Sequence, residues 1–373
     1  MPIEQDEGKI GGKVIAFHGP VITWVGVMPW LNGFVYGDEE GWLRFTSVDG
    51  PSKSNTPFKI IESDRSINQV AFNECQGFRY IGACTASGVA VHRLTDEGVY
   101  INSETYDWGG HGIYSTRCGA FLVPRGQYGL AVIVPSADGR RIREYILKPH
   151  KTKYFYSMCR IGFTAEDQEL WACAGRSGGL LAISLDKDAR PEVLHSFQSV
   201  ISPKDYVGVC SIASETMPFA MVSLSRNGEV DFSVDFRRDR TPLTWHFSHT
   251  QGVAYSLAAV NGHLFILTSN GLYSCIDIVA RFLRGELRAG VETVTVRHLP
   301  LDIIDVAVAY DQWMLVLQHD KVIRIAINDL LVPGYSVATE QSVGQATAPE
   351  SSDLEPTWAD IVLESEVEEL AVA

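Results

Sequence analysis

Short runs of apolar residues that alternate with polar ones, separated by polar corners, occupy most of the chain. The stretch 264–276, LFILTSNGLYSCI, is the clearest example, with an apolar run, a Ser-Asn-Gly corner and a second alternating run. This pattern predicts two antiparallel strands joined by a tight turn. Six further stretches have the same form, at 34–45, 80–92, 130–145, 170–185, 219–234 and 313–327. The sequence therefore predicts seven copies of one hairpin.

The hairpin corners recur at a regular distance. The corner glycines Gly41, Gly88, Gly139, Gly179, Gly228 and Gly271 are 47, 51, 40, 49 and 43 residues apart, and Lys321 fills the seventh corner 50 residues later. Short strands with a period in the forties are typical of β-propeller blades. First strands are predicted before the hairpins at 22–27, 67–72, 114–121, 156–163, 206–212, 253–258 and 303–308. Fourth strands are predicted after them at 58–62, 99–106, 153–156, 192–197, 243–247 and 294–297.

The first predicted strand, KVIAFH at 13–18, has no partner before it, and the last copy has no fourth strand after 323–327. An N-terminal strand that completes the last blade would remove the exposed edges of the ring. The predicted fold is therefore an all-β, seven-bladed propeller of four-stranded antiparallel blades, with the last blade closed by the N-terminal strand. The predicted propeller domain covers residues 13–333, and residues 1–12 are predicted to be disordered.

On these repeats the chain resembles the WD-repeat-like seven-bladed propellers over about residues 13–330. The resemblance depends on the period, the strand pattern and the corner glycines. No copy combines the Gly-His opening with the Trp-Asp ending of that repeat, so no specific family is assigned. The resemblance implies a rigid platform for protein partners.

The composition narrows the classes of partner. The formal net charge is −14, which argues against non-specific binding to nucleic acid or to an anionic membrane. The start of the chain is acidic, unlike a signal peptide, and no apolar run approaches the length of a membrane span. The seven cysteines are odd in number and scattered, which favours reduced thiols and a cytoplasmic location.

Loops from a fourth strand to the next first strand are expected to share one face, the upper face, with the hairpin corners. Both signs of charge occur there, so charge alone favours no ligand class. The predicted partner-binding residues of the upper face are Asp64, Arg65, Trp108, His111, Arg176, Arg226, His249 and His319. Exposed aromatic and arginine side chains dominate interface energetics, so Trp108, Arg176 and Arg226 are the expected hot spots. The simpler interpretation is that most of these are solvated turn residues.

Loops after the third strands are expected on the opposite, lower face. Three of them are basic, namely 148–153, 237–240 and the insertion 278–290, whose first part has helical spacing with Ile278, Val279, Phe282 and Leu283 on one side. The predicted docking residues are Lys148, Lys151, Lys153, Arg237, Arg238, Arg240, Arg281, Arg284 and Arg288. Charged loops are also commonly just solvated. These loops contain no interleaved aromatic residues, which argues against nucleic acid as the partner.

The chain after Pro333 has a different composition, with nine acids and no Lys or Arg. Residues 334–356 are rich in Ser, Thr, Ala, Gln and Pro and are predicted to form a flexible linker. Residues 357–373 predict an acidic amphipathic helix with apolar residues Trp358, Ile361, Val362, Leu363, Val367 and Leu370. The pattern fits docking either to a separate protein or to the basic loops of the same propeller. A solubilising tail is the simpler alternative.

Catalytic motifs fail on their context. Residues 175–179 match Gly-x-Ser-x-Gly, but the motif needs a strand followed by a helix, whereas here it falls in a hairpin corner. His246 and His249 are three residues apart on a predicted strand, which makes them a poor metal pair. No metal site and no cofactor are predicted.

Two functions of different classes remain. The favoured one is a non-enzymatic interaction scaffold or regulatory subunit that binds one or more proteins through its loop faces and its C-terminal helix. The alternative is a propeller hydrolase or small-ligand-binding protein with an axial site lined by carboxylates such as Asp38, Asp64 and Asp320.

Overall fold

A computed structural model describes most of the chain between residues 13 and 331. The described residues are 13–17, 21–30, 33–47, 57–60, 66–75, 77–94, 100–135, 142–147, 154–176, 179–197, 205–212, 217, 220–234, 243–249, 253–269, 271–275, 277–286, 295–297 and 303–331. The predictions for the N-terminal segment 1–12, for the linker 334–356 and for the tail segment 357–373 lie outside these residues. They stay predictions.

The described strands form seven four-stranded antiparallel sheets. A strand at the start of the chain, β1 (Lys13–Phe17), belongs to the last of them. Sheet I contains β2 (Ile22–Val27), β3 (Gly33–Asp38), β4 (Trp42–Ser47) and β5 (Phe58–Lys59). Sheet II contains β6 (Gln69–Cys75), β7 (Phe78–Thr85), β8 (Gly88–Leu94) and β9 (Tyr100–Tyr106). Sheet III contains β10 (Tyr114–Ser115), β11 (Phe121–Pro124), β12 (Leu130–Pro135) and β13 (Ile142–Leu147).

The remaining sheets follow the same order. Sheet IV contains β14 (Tyr154–Phe163), β15 (Glu169–Arg176), β16 (Gly179–Leu185) and β17 (Pro191–Phe197). Sheet V contains β18 (Tyr206–Ser211), β19 (Met221–Ser225), β20 (Glu229–Val234) and β21 (Leu243–His249). Sheet VI contains β22 (Ala254–Val260), β23 (His263–Thr268), β24 (Gly271–Cys275) and β25 (Thr295–Arg297). Sheet VII contains β26 (Ile303–Ala309), β27 (Trp313–Gln318) and β28 (Lys321–Ala326), with β1 beside β28.

The hairpin corners are built by the turn residues that the sequence supplies. In sheet I, one Asp38 carboxylate oxygen accepts hydrogen bonds from the backbone N–H groups of Glu40 and Trp42 at 3.0 and 2.9 Å. Gly41 then adopts a left-handed φ of 83°, which a side chain would disfavour. The chain can therefore reverse within a few residues, and the apolar positions of β3 and β4 pair across the turn.

The core consists of seven hydrophobic clusters of described residues, each lying between two sheets. Six of them join sheets that are consecutive in the chain. The seventh joins the first sheet to the last, with Ile22 and Phe34 packed with Leu317 and Val322. Because both faces of each sheet are covered by neighbours, the most buried strands, such as β12 and β27, read as almost continuous apolar runs.

Strand β1 completes sheet VII from the other end of the chain. Its residues pair antiparallel with β28, from Lys13 opposite Arg324 to Phe17 opposite Lys321, with one irregularity between Val14 and Ala16. Without β1, strand β28 would be an edge strand with unpaired backbone groups.

The third copy differs from its prediction. The hairpin predicted at 130–145 corresponds to β12 and β13, which are the third and fourth strands of sheet III instead of the second and third. The fourth strand predicted at 153–156 is wrong, because residues from Tyr154 onward belong to β14, the first strand of sheet IV. The segment 148–153 therefore connects two sheets, and it does not follow a third strand as 237–240 and 278–290 do. The corner between the second and third strands of sheet III, β11 and β12, is 125–129, where Gly126 and Gly129 have φ of 53° and 93°.

Two short helices occur in the described residues, α1 (Ile278–Leu283) and α2 (Ile327–Leu331). The helical spacing predicted in the insertion is confirmed, and Ile278, Val279 and Phe282 pack on the cluster between sheets V and VI. The assignment of Leu283 to the packed side is wrong, because this side chain is 53% exposed. No helix in the described part of the chain is long and apolar enough to span a membrane.

Candidate partner-binding site

The predicted upper-face residues lie at several separate corners. Arg226 is in the corner between β19 and β20, where its backbone N–H donates to the carbonyl of Asp205. His319 is in the corner between β27 and β28, where its carbonyl accepts from Ile22. Asp64, Arg65 and the side chains of Arg176 and His249 lie outside the described part of the structure. Trp108 and His111 are in one loop, and around this loop the structure gathers further aromatic residues.

The loop 107–113, DWGGHGI, is held tightly between sheets II and III. The backbone N–H of Gly110 donates to the carbonyl of Thr85, and its carbonyl accepts from the Asn68 side chain and from Sγ of Cys84. On the other side, the N–H of His111 donates to the carbonyl of Pro124 at 2.9 Å. The loop is thereby fixed to both sheets, and the residues that it carries are presented on a rigid support.

The glycines of this loop are required by close packing. A Cβ at Gly109 would lie less than 3.0 Å from the backbone of Ala86 and Ser87, which form the corner of β7 and β8. A Cβ at Gly110 or Gly112 would also come within 3.0 Å of its neighbours. The motif Trp-Gly-Gly-His-Gly therefore lets the backbone approach the sheet II corner while two large side chains remain on the loop.

One half of the site is a group of aromatic rings packed around a guanidinium group. The ring of Trp108 lies 4.9 Å from that of Tyr106, measured between centroids. The guanidinium carbon of Arg125 lies 3.9 Å from the Trp108 ring centroid and 5.8 Å from that of Tyr128. Tyr128 is 50% exposed, so this stack reaches the surface. A guanidinium on an indole face is the strongest common cation–π pair.

The other half of the site is aromatic and adjoins the first through Gly126. The rings of His111 and Tyr156 meet edge to face at 4.7 Å, and the rings of Tyr154 and Tyr156 are parallel within 7° at 6.4 Å. Gly126 exchanges two backbone hydrogen bonds of 3.2 Å with Phe155, which fixes the 125–129 corner to β14. An added Cβ at Gly126 would lie 3.1 Å from Nε2 of His111.

We call these residues the aromatic–arginine cluster. Its members come from three connected segments, 107–113, 125–129 and 154–156, and they are Trp108, His111, Arg125, Tyr128, Tyr154 and Tyr156. Trp108 and His111 were predicted from the sequence, and the other four members were not. The Arg-Gly-Gln-Tyr-Gly corner after an apolar strand is a signal that could have placed Arg125 and Tyr128 beside them.

His111 is a neutral member of the cluster. Burial lowers the pKa of its imidazole from 6.5 to about 4, because the charged form would lose its hydration. The imidazole is therefore uncharged at neutral pH.

The lowered pKa of His111 makes the stability of the folded chain depend on pH. In the unfolded chain His111 binds a proton below about pH 6.5, whereas in the folded chain it does so only near pH 4. The neutral imidazole therefore makes its full contribution to the stability of the folded chain above about pH 6.5, and this contribution is lost as the pH falls toward 4. We expect protonation of His111 to lower the free energy of unfolding by about 2–3 kcal/mol between about pH 7.5 and about pH 4.5.

Urea unfolding of the wild type and of His111→Gln at both pH values measures this contribution. The variant is expected to lose less stability than the wild type over the same interval. Equal losses in the two proteins would contradict the assignment. The NMR titration of the His111 ring gives its pKa independently.

Of the carboxylates proposed for an axial site, the two that are described lie in different sheets. Asp38 is 1% exposed, and it serves the sheet I corner and faces Arg44 at 3.9 Å. Asp320 lies in a corner of sheet VII, and Asp64 is outside the described residues. Asp305 is a further carboxylate on a first strand, and burial raises its pKa. No group of three or more potential metal ligands occurs among the residues that the structure describes.

The Gly-x-Ser-x-Gly segment is a hairpin corner, as predicted. Gly175 pairs with Gly179 at the end of the antiparallel strands β15 and β16, so there is no strand followed by a helix. The nucleophile interpretation is thereby excluded on the geometry that the motif requires.

The basic residues of the lower face are partly engaged within the chain. Arg281 donates from Nη1 to Sγ of Cys275 at 3.8 Å, and Arg284 forms an ion pair with Glu286. Arg237, Arg238, Arg240 and Arg288, together with Lys148, Lys151 and Lys153, lie outside the described residues. Because 148–153 connects two sheets, the nine predicted residues do not share one type of loop.

Comparison with known proteins identifies the fold. No family model and no curated protein matches the sequence. The β-propeller domain of Cps50 (Swd1) from Myceliophteria thermophila is 11% identical, with a TM-score of 0.61 over 84% of this chain and 99% of that one. A catalytically inactive virginiamycin B lyase from Staphylococcus aureus with quinupristin is 10% identical, with a TM-score of 0.60 over 85% and 98%. The WD40 β-propeller domain of Doa1 is 12% identical, with a TM-score of 0.56 over 84% and 96%. At these identities the likeness concerns the fold alone, and the chain has a β-propeller-like, all-β fold.

Proposed function

We propose that this protein is a non-enzymatic interaction scaffold or regulatory subunit that binds a protein partner through the aromatic–arginine cluster. The observation that carries the proposal is the convergence of Trp108, Arg125 and Tyr128 in one stack that reaches the surface. Trp, Tyr and Arg are the residue types most enriched among interface hot spots. The proposed setting is the cytoplasm, where the seven cysteines would stay reduced.

The rigidity of the cluster supports a binding role. Its three segments are held by backbone hydrogen bonds, from Gly110 to Thr85 of sheet II, from His111 to Pro124 of sheet III and between Gly126 and Phe155. Side chains that are ordered before binding lose little conformational entropy when a partner arrives. More of the interaction free energy therefore appears as affinity.

We also propose that the seven sheets are the blades of one closed ring whose last blade is completed by β1. The support comes from the clusters that link each sheet to the next and from the cluster that links sheet VII back to sheet I. In such a ring the segments 107–113 and 125–129 lie on the same face as the corners between the second and third strands of the other sheets. The basic loops 237–240 and 278–290 would offer a second contact surface on the opposite face.

The C-terminal segment 357–373 is proposed as a further contact point. Its five acids and its apolar positions suit a docking helix, either on a separate protein or on basic loops of the same chain. Removal of residues 351–373 would abolish this contact and leave the contact through the aromatic–arginine cluster intact.

The proposal is tested by substitution of Trp108. Partner proteins are recovered by affinity purification of the full chain from its own cell and quantified by mass spectrometry. Trp108→Ala is expected to weaken partner binding about 30-fold or more, which corresponds to about 2 kcal/mol, the scale of a hot-spot residue. Thermal unfolding must show that the variant remains folded.

A matched control is present in sheet VII. Trp313 carries a similar arrangement, with the guanidinium carbon of Arg324 at 4.2 Å from its ring centroid, but it lies at the start of β27, away from the cluster. Trp313→Ala is expected to leave partner recovery unchanged. If both variants keep their partners, or if both lose them equally, the cluster is not the binding surface.

A further inference from the structure

We infer that the space enclosed by the first strands of the seven sheets, the axial space, holds a second binding site, which takes a primary ammonium group on an alkyl chain beside Asp305. The inference goes beyond the proposed function, because it does not depend on partner binding at the aromatic–arginine cluster. It rests on the proposed closed ring of sheets.

The contacts of the first strands support an axial space. First strands approach one another from β2 through β6 to β10 and from β14 through β18 and β22 to β26, β26 approaches β2, and sheet III meets β14 through β11. Second strands such as β3, β11 and β19 are buried throughout, whereas the first strands β18, β22 and β26 keep partly exposed positions. In a closed ring this accessible surface faces the axis.

The first strands also share an irregularity near their starts. In five of the seven described sheets, the pairing of the first strand with the second skips one residue. Such β-bulges re-aim side chains and are common next to active sites. The skipped residues are Thr23, Tyr156, Val207, Tyr255 and Ile304, and those that directly follow are Trp24, Ser157, Gly208, Ser256 and Asp305. Asp305 is the only charged residue among them.

Asp305 is an accessible carboxylate without a cation beside it in the described part of the chain. Its Oδ1 accepts from the backbone N–H of Val306 at 2.7 Å, and the hydroxyl of Ser256 donates to the carboxylate. Asp305 is partly exposed, yet burial raises its pKa, because the surrounding protein removes much of the hydration of the carboxylate. A desolvated carboxylate without a counter-ion lowers the stability of a fold.

The fold does not require a charge at this position. Elsewhere on the first strands, Oε1 of Gln69 accepts from the N–H of Ile113 at 3.2 Å, and Oγ of Ser157 accepts from the N–H of Val209 at 3.4 Å. Both hydrogen bonds join neighbouring sheets through an uncharged side chain. An asparagine in place of Asp305 would keep a carbonyl acceptor for the hydrogen bonds made there. The charge therefore points to a ligand.

A primary ammonium group matches the surroundings of the carboxylate. It can donate to the Asp305 carboxylate and to the Ser256 hydroxyl, and Tyr255, which precedes Ser256 and is 41% exposed, offers its ring to a cation. Val207 and Ile304 are partly exposed and give an alkyl chain apolar surface to contact.

Other cations suit the position less well. Oδ1 of Asp305 is already held by a backbone N–H, and a hydroxyl also donates to the carboxylate, so its two oxygens are not both open to the fork of a guanidinium. A divalent metal ion takes several oxygen ligands, and no group of three or more potential metal ligands occurs among the described residues. An ammonium group needs one carboxylate contact.

Binding of n-pentylamine to the full chain tests the inference, with 1-pentanol as an uncharged probe of the same shape. Dissociation constants are measured by NMR titration. We expect the wild type to bind pentylamine at least about tenfold more tightly than pentanol and Asp305→Asn to lose this preference. Glu166→Gln removes an exposed acid from the corner between β14 and β15 and should keep the preference, which controls for net charge.

Thermal unfolding of Asp305→Asn separates a ligand-binding role from a structural one. The variant is expected to unfold at the wild-type temperature or above it, because it loses a desolvated charge and keeps a hydrogen-bond acceptor. A lower unfolding temperature would show that the fold uses the carboxylate and would overturn the inference. Equal binding of pentylamine to the wild type and to Asp305→Asn would overturn it as well.

A capped pentapeptide with a central lysine, and the same peptide with that lysine acetylated, distinguish the two sources of an ammonium group. Tighter binding of the lysine peptide than of pentylamine, lost on acetylation and in Asp305→Asn, assigns the site to a lysine of a protein partner. Weaker binding of the peptide assigns it to a small free amine. The recovery of partners through Trp108 does not involve Asp305, so failure of this inference leaves the proposed function standing.

Discussion

Removal of residues 1–17 is expected to destabilise the whole described domain, although the only described strand that it removes is the short β1. Strand β1 pairs with β28 through four residue pairs, and it is the outermost strand of sheet VII. At about 1 kcal/mol net for each hydrogen bond, its loss costs about 3–4 kcal/mol. The loss also exposes β28 as an edge, on which other chains can pair. We expect a lower midpoint in urea unfolding and concentration-dependent aggregation.

A shorter truncation provides the control. Removal of residues 1–10 leaves β1 intact and should change the unfolding midpoint very little. If the two truncated proteins unfold at the same denaturant concentration, β1 does not stabilise sheet VII and the proposed ring closure fails. Addition of a synthetic peptide of residues 11–20 to the longer truncation should partly restore its stability.

Gly109→Ala is the point substitution with the largest expected effect on both stability and binding. The added methyl group would meet the backbone of Ala86 and Ser87 at less than 3.0 Å, and backbone atoms cannot rotate away as a flexible side chain can. Either the corner of β7 and β8 or the loop 107–113 must move. We expect a loss of at least about 2 kcal/mol in the free energy of unfolding. Partner binding should fall as well, because Trp108 and His111 would move with the loop.

Gly208→Ala is a control for the chemical change itself. Its added Cβ would lie 3.7 Å from that of Leu257, which is ordinary van der Waals contact. It should therefore unfold within about 0.5 kcal/mol of the wild type. If Gly109→Ala were equally neutral, the close approach of the loop to sheet II would be disproved.

The antiparallel hairpins were predictable because their signals are local. An apolar run, a corner such as Ser-Asn-Gly and a second apolar run lie within about fifteen residues, and turn chemistry selects the pairing over that distance. The third copy shows the limit of this reasoning. Two turn signals follow one another there, at 125–129 and 135–141. The second was predicted to be the corner between strands two and three, whereas the first forms that corner in the structure.

The candidate site was predictable only in part. Trp108 and His111 could be chosen because a loop residue of those types is a sound interface candidate. Tyr154 and Tyr156 carried no comparable signal, since a tyrosine in a strand is ordinary. The carboxylates Asp38 and Asp320 were grouped by loop type alone, and the structure places them in the corners of different sheets.

The sequence by itself determined the strands, most of their hairpins and the apolar faces between sheets, because residues that decide these features are neighbours along the chain. Only the tertiary structure decided which loops meet. Trp108 and Arg125 are brought together by the packing of sheet II on sheet III, and Gly126 meets Phe155 where sheet III adjoins sheet IV. Such contacts depend on the fit of whole sheets, and no short stretch of sequence records that fit.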